Sequence, residues 1–463
     1  MDGREIPGYY FDREKGKYFI ILKNSPESQY DADNIKKRQR EERRRTTEAD
    51  LHRRRQQRLA KPTFSLARAS VQRELTGDRQ AALSAWPHMS TAGYETLNVY
   101  YSPTTRFFDL DPNNQDLFVA ETSSVVQIPQ PCKYTQHDFE YPPEYSSHHA
   151  ALLIHLTSEI SSMHYMSASG AMVTTTFGSD RPPVIYLSDP ARDGPCIGEQ
   201  ITPSSATTIW TSAPLPSFST STHSVPAADT EHIAVGASRD LVMLSRSQQT
   251  SLWDSKMAKK FASDVLALDW LDHKTVAVGL RDGNVHIYDT RSGGSSQVIS
   301  HPTPVTHLKR ADDFTRIVCK GLQNTLMLYD MRYAKPIETL NQHSRSKKRK
   351  HNRNSQQSST GTHSRPLLQF PYFNEDTTDL GLAVHSRLGL VAAADEDARV
   401  VLWSLKNGDV VRQFETPKPL APRKSIYTPD EMRIRCMRFV EDDGGSGVSL
   451  WSVWQQGIAR FGW

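Results

Sequence analysis

From about residue 78 onward, short apolar runs alternate with clusters of Gly, Asp, Asn, Pro and Ser. That rhythm predicts many short β-strands joined by turns. It is clearest between Asp264 and Ser292, which read DVLALDW, a turn, TVAVGL, RDGNV and HIYDTR. Val265, Ala267 and Asp269 alternate with Leu266, Leu268 and Trp270, and Val276 and Val278 repeat the pattern. Asp282-Gly283 marks a two-residue hairpin, because Gly tolerates the positive φ such a turn requires. Val285, Ile287 and Tyr288 supply the next strand.

The same order of strands then returns. Val305–Leu308 matches the first strand, Thr315–Cys319 the second, and Leu326–Tyr329 with Asp330 the third. Asp289 and Asp330 lie 41 residues apart. A period of roughly 40–45 residues with three or four strands per unit is the signature of a propeller blade. Further copies span Gly381–Trp403, Ile434–Trp463 and His232–Ser245, with looser ones at Ala150–Ser188 and Thr96–Ile128. Seven blades are predicted, and the chain resembles the WD-repeat superfamily. The expected fold class is all-β: a seven-bladed WD-repeat β-propeller with an N-terminal basic helical extension. Each blade alone leaves apolar faces uncovered, so the blades must stack and the ring must close. Residues between about 70 and 101 are expected to complete the last blade.

The residues before about 78 are different. Ile6–Leu22 carries Pro7, Gly8 and an aromatic load of Tyr9, Tyr10, Phe11, Tyr18 and Phe19. It is too short to fold alone, so its rings are expected to dock, and the run after Gly16 is strand-like. Asp33–Lys61 is rich in Arg, Lys, Gln and Glu, with no Gly or Pro before Pro62, which favours a solvated helix. The division expected is an aromatic motif over 1–30, a basic helical or disordered segment over 31–75, and a propeller over 78–463. Within the propeller, 203–229 is rich in Ser, Thr and Pro, and 341–365 is almost devoid of apolar residues. Both are read as extended loops.

Of the 463 residues, 37% are hydrophobic and 23% charged, with a mean hydropathy of −0.59 and a net charge of +4. The basic residues crowd into two tracts outside the strand pattern: Lys36, Lys37 and Arg38 open the first, and Lys347, Lys348, Arg349 and Lys350 form the second. Each reads either as a nuclear import signal or as a solvated charge run, and both readings stay open. A mild overall charge argues against a nucleic-acid groove through the fold. Four dispersed cysteines, Cys132, Cys196, Cys319 and Cys436, form no CxxC cluster and fit a reducing compartment. No leader peptide and no membrane-spanning run is expected, so no membrane partner is either.

The chain holds no GxxxxGK[ST], HExxH or GxSxG pattern. His148-His149 is read as a solvated loop, and Asp395, Glu396 and Asp397 as a hairpin cap. The expectation is a protein-binding propeller with no catalytic site, no metal and no cofactor, monomeric within a larger complex.

One pair of motifs carries a sharper expectation. Tyr288-Asp289-Thr290-Arg291 and Tyr329-Asp330-Met331-Arg332 both follow the third strand of consecutive blades. Equivalent positions on adjacent blades share one face of a ring, so Arg291 and Arg332 are presented together. Each offers a planar, permanently charged fork suited to carboxylates and carbonyls. Trp403-Ser404, in the next copy, lacks the acid. The pair resembles the double WDxR signature of substrate receptors that dock on the damaged-DNA-binding adaptor of cullin-four RING ubiquitin ligases, with Tyr for Trp. IPGYYFDREKGKYF, from Ile6 to Phe19, resembles the head motif of the fourth adaptor- and cullin-four-associated factor family, a WD-repeat family formerly numbered twenty-one. That resemblance covers the head, the charged segment and the later blades. It implies that Asp289, Arg291, Asp330 and Arg332 face the adaptor, that Tyr9, Tyr10 and Phe11 help docking or tuck against the propeller, and that an unidentified target is presented for ubiquitination. Nuclear localisation, with a cytoplasmic pool allowed, follows from it. A generic scaffold in a chromatin or RNA-processing assembly is the alternative.

Overall fold

The computed structural model describes residues 9–12, 17–20, 95–102, 104–129, 145, 150–167, 169–190, 198–216, 230–247, 252–311, 315–333, 363–414, 433–441, 448–454 and 457–462. The chain divides into two units, Met1–Arg68 and Ala69–Trp463. In the first unit β1 (Tyr9–Asp12) and β2 (Lys17–Ile20) form an antiparallel hairpin. Its register sets Tyr10 against Phe19 and Phe11 against Tyr18. The strand expected after Gly16 is therefore present. The helical segment expected over 31–75, with Lys36, Lys37 and Arg38, lies outside the described residues, as do Lys347, Lys348, Arg349 and Lys350.

The second unit is seven four-stranded antiparallel sheets. Blade 1 is β4 (Phe107–Leu110), β5 (Leu117–Ala120), β6 (Ser124–Ile128) and β7 (Ala151–His155). Blade 2 is β8 (Ile160–Met166), β9 (Ala171–Thr176), β10 (Ile185–Ser188) and β11 (Gly198–Ile201). Blade 3 is β12 (Ile209–Pro214), β13 (Thr230–Ala237), β14 (Asp240–Ser247) and β15 (Trp253–Lys260). Blade 4 is β16 (Val265–Trp270), β17 (Thr275–Leu280), β18 (Asn284–Asp289) and β19 (Ser295–Ser300). Blade 5 is β20 (Val305–Arg310), β21 (Arg316–Gly321), β22 (Leu326–Asp330) and β23 (Leu368–Gln369). Blade 6 is β24 (Leu382–His385), β25 (Leu390–Ala394), β26 (Val400–Ser404) and β27 (Val410–Phe414). Blade 7 is β28 (Met437–Glu441), β29 (Val448–Trp454), β30 (Gly457–Gly462) and β3 (Glu95–Tyr101).

Blade 7 closes the ring: its outer strand β3 pairs antiparallel with β30, from Glu95 opposite Gly462 to Tyr101 opposite Gly457. The closing strand thus falls at the end of the interval expected from sequence. Val99 and Tyr100 are buried in one cluster with Val453, Ile458 and Trp451. Second and third strands are the most apolar. β25, for example, is buried along its whole length, as residues covered on both faces must be. The hairpin turn at Asp282-Gly283 is present, with Gly283 at φ +89°, where an added Cβ would lie 2.4 Å from the His301 carbonyl oxygen.

Two boundaries differ from the sequence reading. Ala151–His155 is the outer strand of blade 1, not the start of blade 2, because outer strands are covered on one side and Leu152 stays 65% exposed. Ile209–Pro214, inside the segment 203–229 read as a loop, is the inner strand of blade 3. Its hydroxyls are matched, not solvated: Ser212 Oγ lies 2.6 Å from Ser162 Oγ. At the end of the segment 341–365, whose residues 341–362 lie outside the described residues, the Ser364 amide donates to the Ser300 carbonyl (2.8 Å) and ties the chain to blade 4.

The seam between blades 5 and 6 holds a lysine where an aliphatic residue would serve. Lys320 on β21 is fully buried, and its Nζ donates to the Leu380 carbonyl just before β24. Burial pulls its ammonium down to about 7, opposed by the nearby Asp379 carboxylate.

Two outcomes are expected. A chain lacking residues 1–94 should keep a single cooperative melt. Removal through residue 101 should abolish it, since β30 then has a bare edge and a cluster loses Val99 and Tyr100. For Lys320, the unfolded chain binds more protons than the folded one above pH 7, so folding stability should rise with pH. Denaturant titrations from pH 7 to 8.5 should show wild type gaining up to ~1.4 kcal/mol per pH unit relative to Lys320→Met.

Candidate functional site

The aromatic residues of the two boxes are structural. Tyr288 is 5% exposed and Tyr329 fully buried, with the Tyr329 hydroxyl 3.0 Å from His301 Nδ1. Burying these rings holds the ends of β18 and β22, and the residues that follow turn outward at the rim.

Both turns have the same backbone. In blade 4 the Thr290 amide donates to the Lys274 carbonyl (2.9 Å), and in blade 5 the Met331 amide donates to the Thr315 carbonyl (2.9 Å). Asp289 Oδ1 accepts the Arg291 amide at 2.9 Å, and Asp330 Oδ1 accepts the Arg332 amide at 3.0 Å. Each is an Asx turn, in which a short carboxylate substitutes for a backbone acceptor. The aspartate then grips the guanidinium as well. Arg332 Nε and Nη2 lie 3.0 and 2.7 Å from the two Asp330 oxygens, and the matching Arg291–Asp289 distances are 3.4 and 3.3 Å.

The four expected residues thus form two like turns, each at the end of the third strand of its blade, in consecutive blades. The arginine side chains remain 65% (Arg291) and 55% (Arg332) exposed. Their carboxylates differ: Asp330 is 5% exposed, Asp289 30%. The Arg332 side-chain bonds, chiefly, hold the Asp330 carboxyl below its usual range against the opposing effect of burial. Asp289 is lowered first by the Arg291 amide and next by its side chain.

The spacing of the units is fixed through the inner strands. Asp269 Oδ2 on β16 accepts the Arg310 amide of β20 at 2.6 Å, and Arg310 Nη1 donates to the Leu271 carbonyl at 3.0 Å. Leu271 begins the turn that supplies the Lys274 carbonyl to Thr290. Blade 7 meets blade 1, and blade 1 blade 2, through a related device: Asp109 takes Arg438 Nη1 at 2.7 Å and the Tyr165 amide at 2.7 Å.

Sequence reasoning passed over two residues at this rim. In blade 6 the turn recurs with Ser for Asp: the Leu405 amide donates to the Gly389 carbonyl (2.8 Å), and Ser404 Oγ accepts the Lys406 amide (3.3 Å). Lys406 is therefore the positional counterpart of the two arginines, legible only if Ser is allowed in the acid's place. Tyr333 follows Arg332, is 69% exposed, and lies under the guanidinium, its ring centroid 5.5 Å from Arg332 Cζ. Its signal was an aromatic one residue past the box, where no core position remains.

Other expectations fall as follows. Of the three acids expected to cap the β25–β26 hairpin, Asp395 does so, its Oδ1 accepting the Arg399 amide at 2.8 Å; Glu396 reaches outside the hairpin, its Oε1 accepting the Asp376 amide at 3.1 Å, and Asp397 Oδ2 lies 3.6 Å from Arg399 Nη2. His148-His149 lies outside the described residues, and so do the side chains of Tyr9, Tyr10 and Phe11. Among the described residues no three His, Cys, Asp or Glu side chains are grouped to hold a metal, and no helix is long and apolar enough to cross a membrane.

No protein-family profile matches the chain. A stretch of 69 residues is 35% identical to the U5 small nuclear ribonucleoprotein 40 kDa protein of Dictyostelium discoideum, covering 15% of this chain and 19% of that protein. The repeated four-stranded blade and the closing strand decide the architecture. The chain is a seven-bladed β-propeller. Among the described residues, Arg291 and Arg332 stand in matching Asx turns on consecutive blades and stay open to solvent.

The grip of Asp330 is testable. A carboxyl lowered in the folded state stabilises the fold above its unfolded value, and that contribution is lost as pH falls through its folded value. Arg332→Ala should return Asp330 toward its ordinary range, so the variant should lose less stability than wild type when taken from pH 4 to pH 2. Carboxyl-carbon NMR titration of Asp330 would read the same change directly.

Proposed function

We propose that the propeller is a substrate-receptor subunit of a cullin-four RING ubiquitin ligase. It docks on the damaged-DNA-binding adaptor through Asp289, Arg291, Asp330 and Arg332, and presents a target from another surface. The observation that carries this reading is the pair of matching Asp–Arg turns on consecutive blades of one rim. Each aspartate holds its arginine in place before a partner arrives, so less side-chain freedom is lost on binding. Arginine suits the task because its fork keeps donors for a second acceptor after engaging a first. The role is non-catalytic: the propeller contributes proximity between the target's lysines and a ubiquitin-loaded enzyme. It needs no cofactor, and the site of action is nuclear.

A second reading is a scaffold in a nuclear RNA-processing assembly. It is favoured by the stretch similar to the U5 small nuclear ribonucleoprotein 40 kDa protein. In that case the same rim would grip another protein.

One experiment separates them. Tagged wild-type chain and the Arg291→Ala/Arg332→Ala double variant are used to recover the adaptor from cells, with thermal melts run on both. The receptor reading expects adaptor recovery to fall about tenfold or more while the melt is unchanged, as for the central arginines of an interface. Equal recovery by a folded double variant would overturn it and leave the scaffold.

A further inference from the structure

The two Asp–Arg turns share a backbone but not a neighbourhood. The residue after the arginine is Ser292 in blade 4, Asn407 after Lys406 in blade 6, and Tyr333 in blade 5. Tyr333 is held by its own amide, which donates to the Asp330 carbonyl at 3.0 Å. Its ring carries the Arg332 guanidinium, yet 69% of it faces solvent.

The core positions of blade 5 are filled by Leu326, Leu328 and Tyr329, and the Tyr333 ring takes none of them. Leu367, 49% exposed, immediately precedes the fourth strand of the same blade, and its amide donates to the Leu328 carbonyl at 2.8 Å. Blade 5 therefore presents a cation, a flat ring and an aliphatic side chain at one end of its outer strands. Among the described residues the large exposed apolar side chains are Ile20, Leu152, Leu252, Met257, Tyr333 and Leu367, so two of them stand on this blade.

We propose that Tyr333 is the anchoring contact of the docking site and that, with Arg332, it makes blade 5 the dominant half. The inference rests on the receptor reading and names what the adaptor must bring. It requires an aliphatic or proline side chain to lie on the Tyr333 ring, with a carboxylate or main-chain carbonyl beside it for the guanidinium. Tyrosine and arginine dominate interface energetics because they bury large area with few rotamers to fix. Here the ring and guanidinium are already stacked and the guanidinium is already forked to a buried carboxylate. Blade 4 offers only its arginine, held by longer bonds to a more exposed aspartate. It steers and orients; blade 5 holds.

The test uses the purified full chain and purified adaptor in a calorimetric titration. Tyr333→Ser installs the residue blade 4 carries at this place; Tyr333→Phe keeps the ring. Tyr333→Ser should weaken binding about tenfold or more, Tyr333→Phe should stay within about twofold of wild type, and Arg332→Ala should lose more affinity than Arg291→Ala. Thermal melts of all variants should match. If Tyr333→Ser binds within about twofold of wild type while Arg332→Ala is impaired, the anchor is wrong and the docking reading stands. If wild type does not bind the adaptor, or if both arginine variants bind as wild type does, the docking reading fails and the anchor falls with it.

Discussion

A four-stranded sheet with apolar residues on both faces is stable only when something covers each face and each long edge. In this chain the covering is done by repetition, and repetition works only if the last sheet meets the first. That meeting is made by one strand, β3, which leaves the N-terminal side of the propeller to complete the blade built from the C-terminal residues. Seven residues, Glu95–Tyr101, thus set the circumference. Everything at the rims is referred to that closure, because the position of any turn is its blade's angle around the axis. A ring that failed to close would leave the two Asp–Arg turns chemically intact and geometrically unrelated.

Within the closed ring the site depends on short polar contacts more than on apolar area. Asp269 ties the inner strand of blade 4 to that of blade 5, and the turn after Asp269 ties the first strand of blade 4 to the third. Arg291 is therefore linked by a chain of hydrogen bonds to the blade that carries Arg332. A carboxylate does double duty at each box: it closes the Asx turn through the backbone amide and fixes the guanidinium through two more bonds. Lysine could not be held in that way, since an ammonium is a point charge with no plane to orient. Lys406, above Ser404, shows the turn persisting when the acid is gone.

How much of this was legible in the sequence follows from what covers each strand. Blades 4 to 7 announced themselves mainly through second strands that are almost wholly buried and strongly apolar, as in TVAVGL and LVAAA. Blade 2 read loosely, and the inner strand of blade 3 went unread, because part of the seam between them is polar. Ser161, Ser162, Thr175 and Ser212 are buried and matched to one another across 2.6–2.8 Å, so a buried strand reads as a polar one. Ile209–Pro214 was lost inside a Ser- and Thr-rich segment for the same reason. Outer strands escaped notice because they face water: β11 reads GEQI and β15 WDSKMAKK. For the site, the Asp–Arg pair was visible as a repeated string. The internal grip of aspartate on arginine, and the stack of Arg332 on Tyr333, depend on rotamers that no string records.

The asymmetry between the two boxes has a physical source in burial. A carboxylate that is 5% exposed must find hydrogen-bond donors within the protein, whereas one that is 30% exposed can still turn to water. Asp330 therefore holds Arg332 because it has little alternative, and the shorter distances record that necessity. Asp289 has water as a competitor, and its hold on Arg291 is longer. Two motifs identical in spelling and in backbone thus differ in stiffness, and stiffness decides how much of a contact's energy survives as affinity. The ring supplies equivalent positions; the burial of one carboxylate and the placement of one tyrosine give those positions unequal roles.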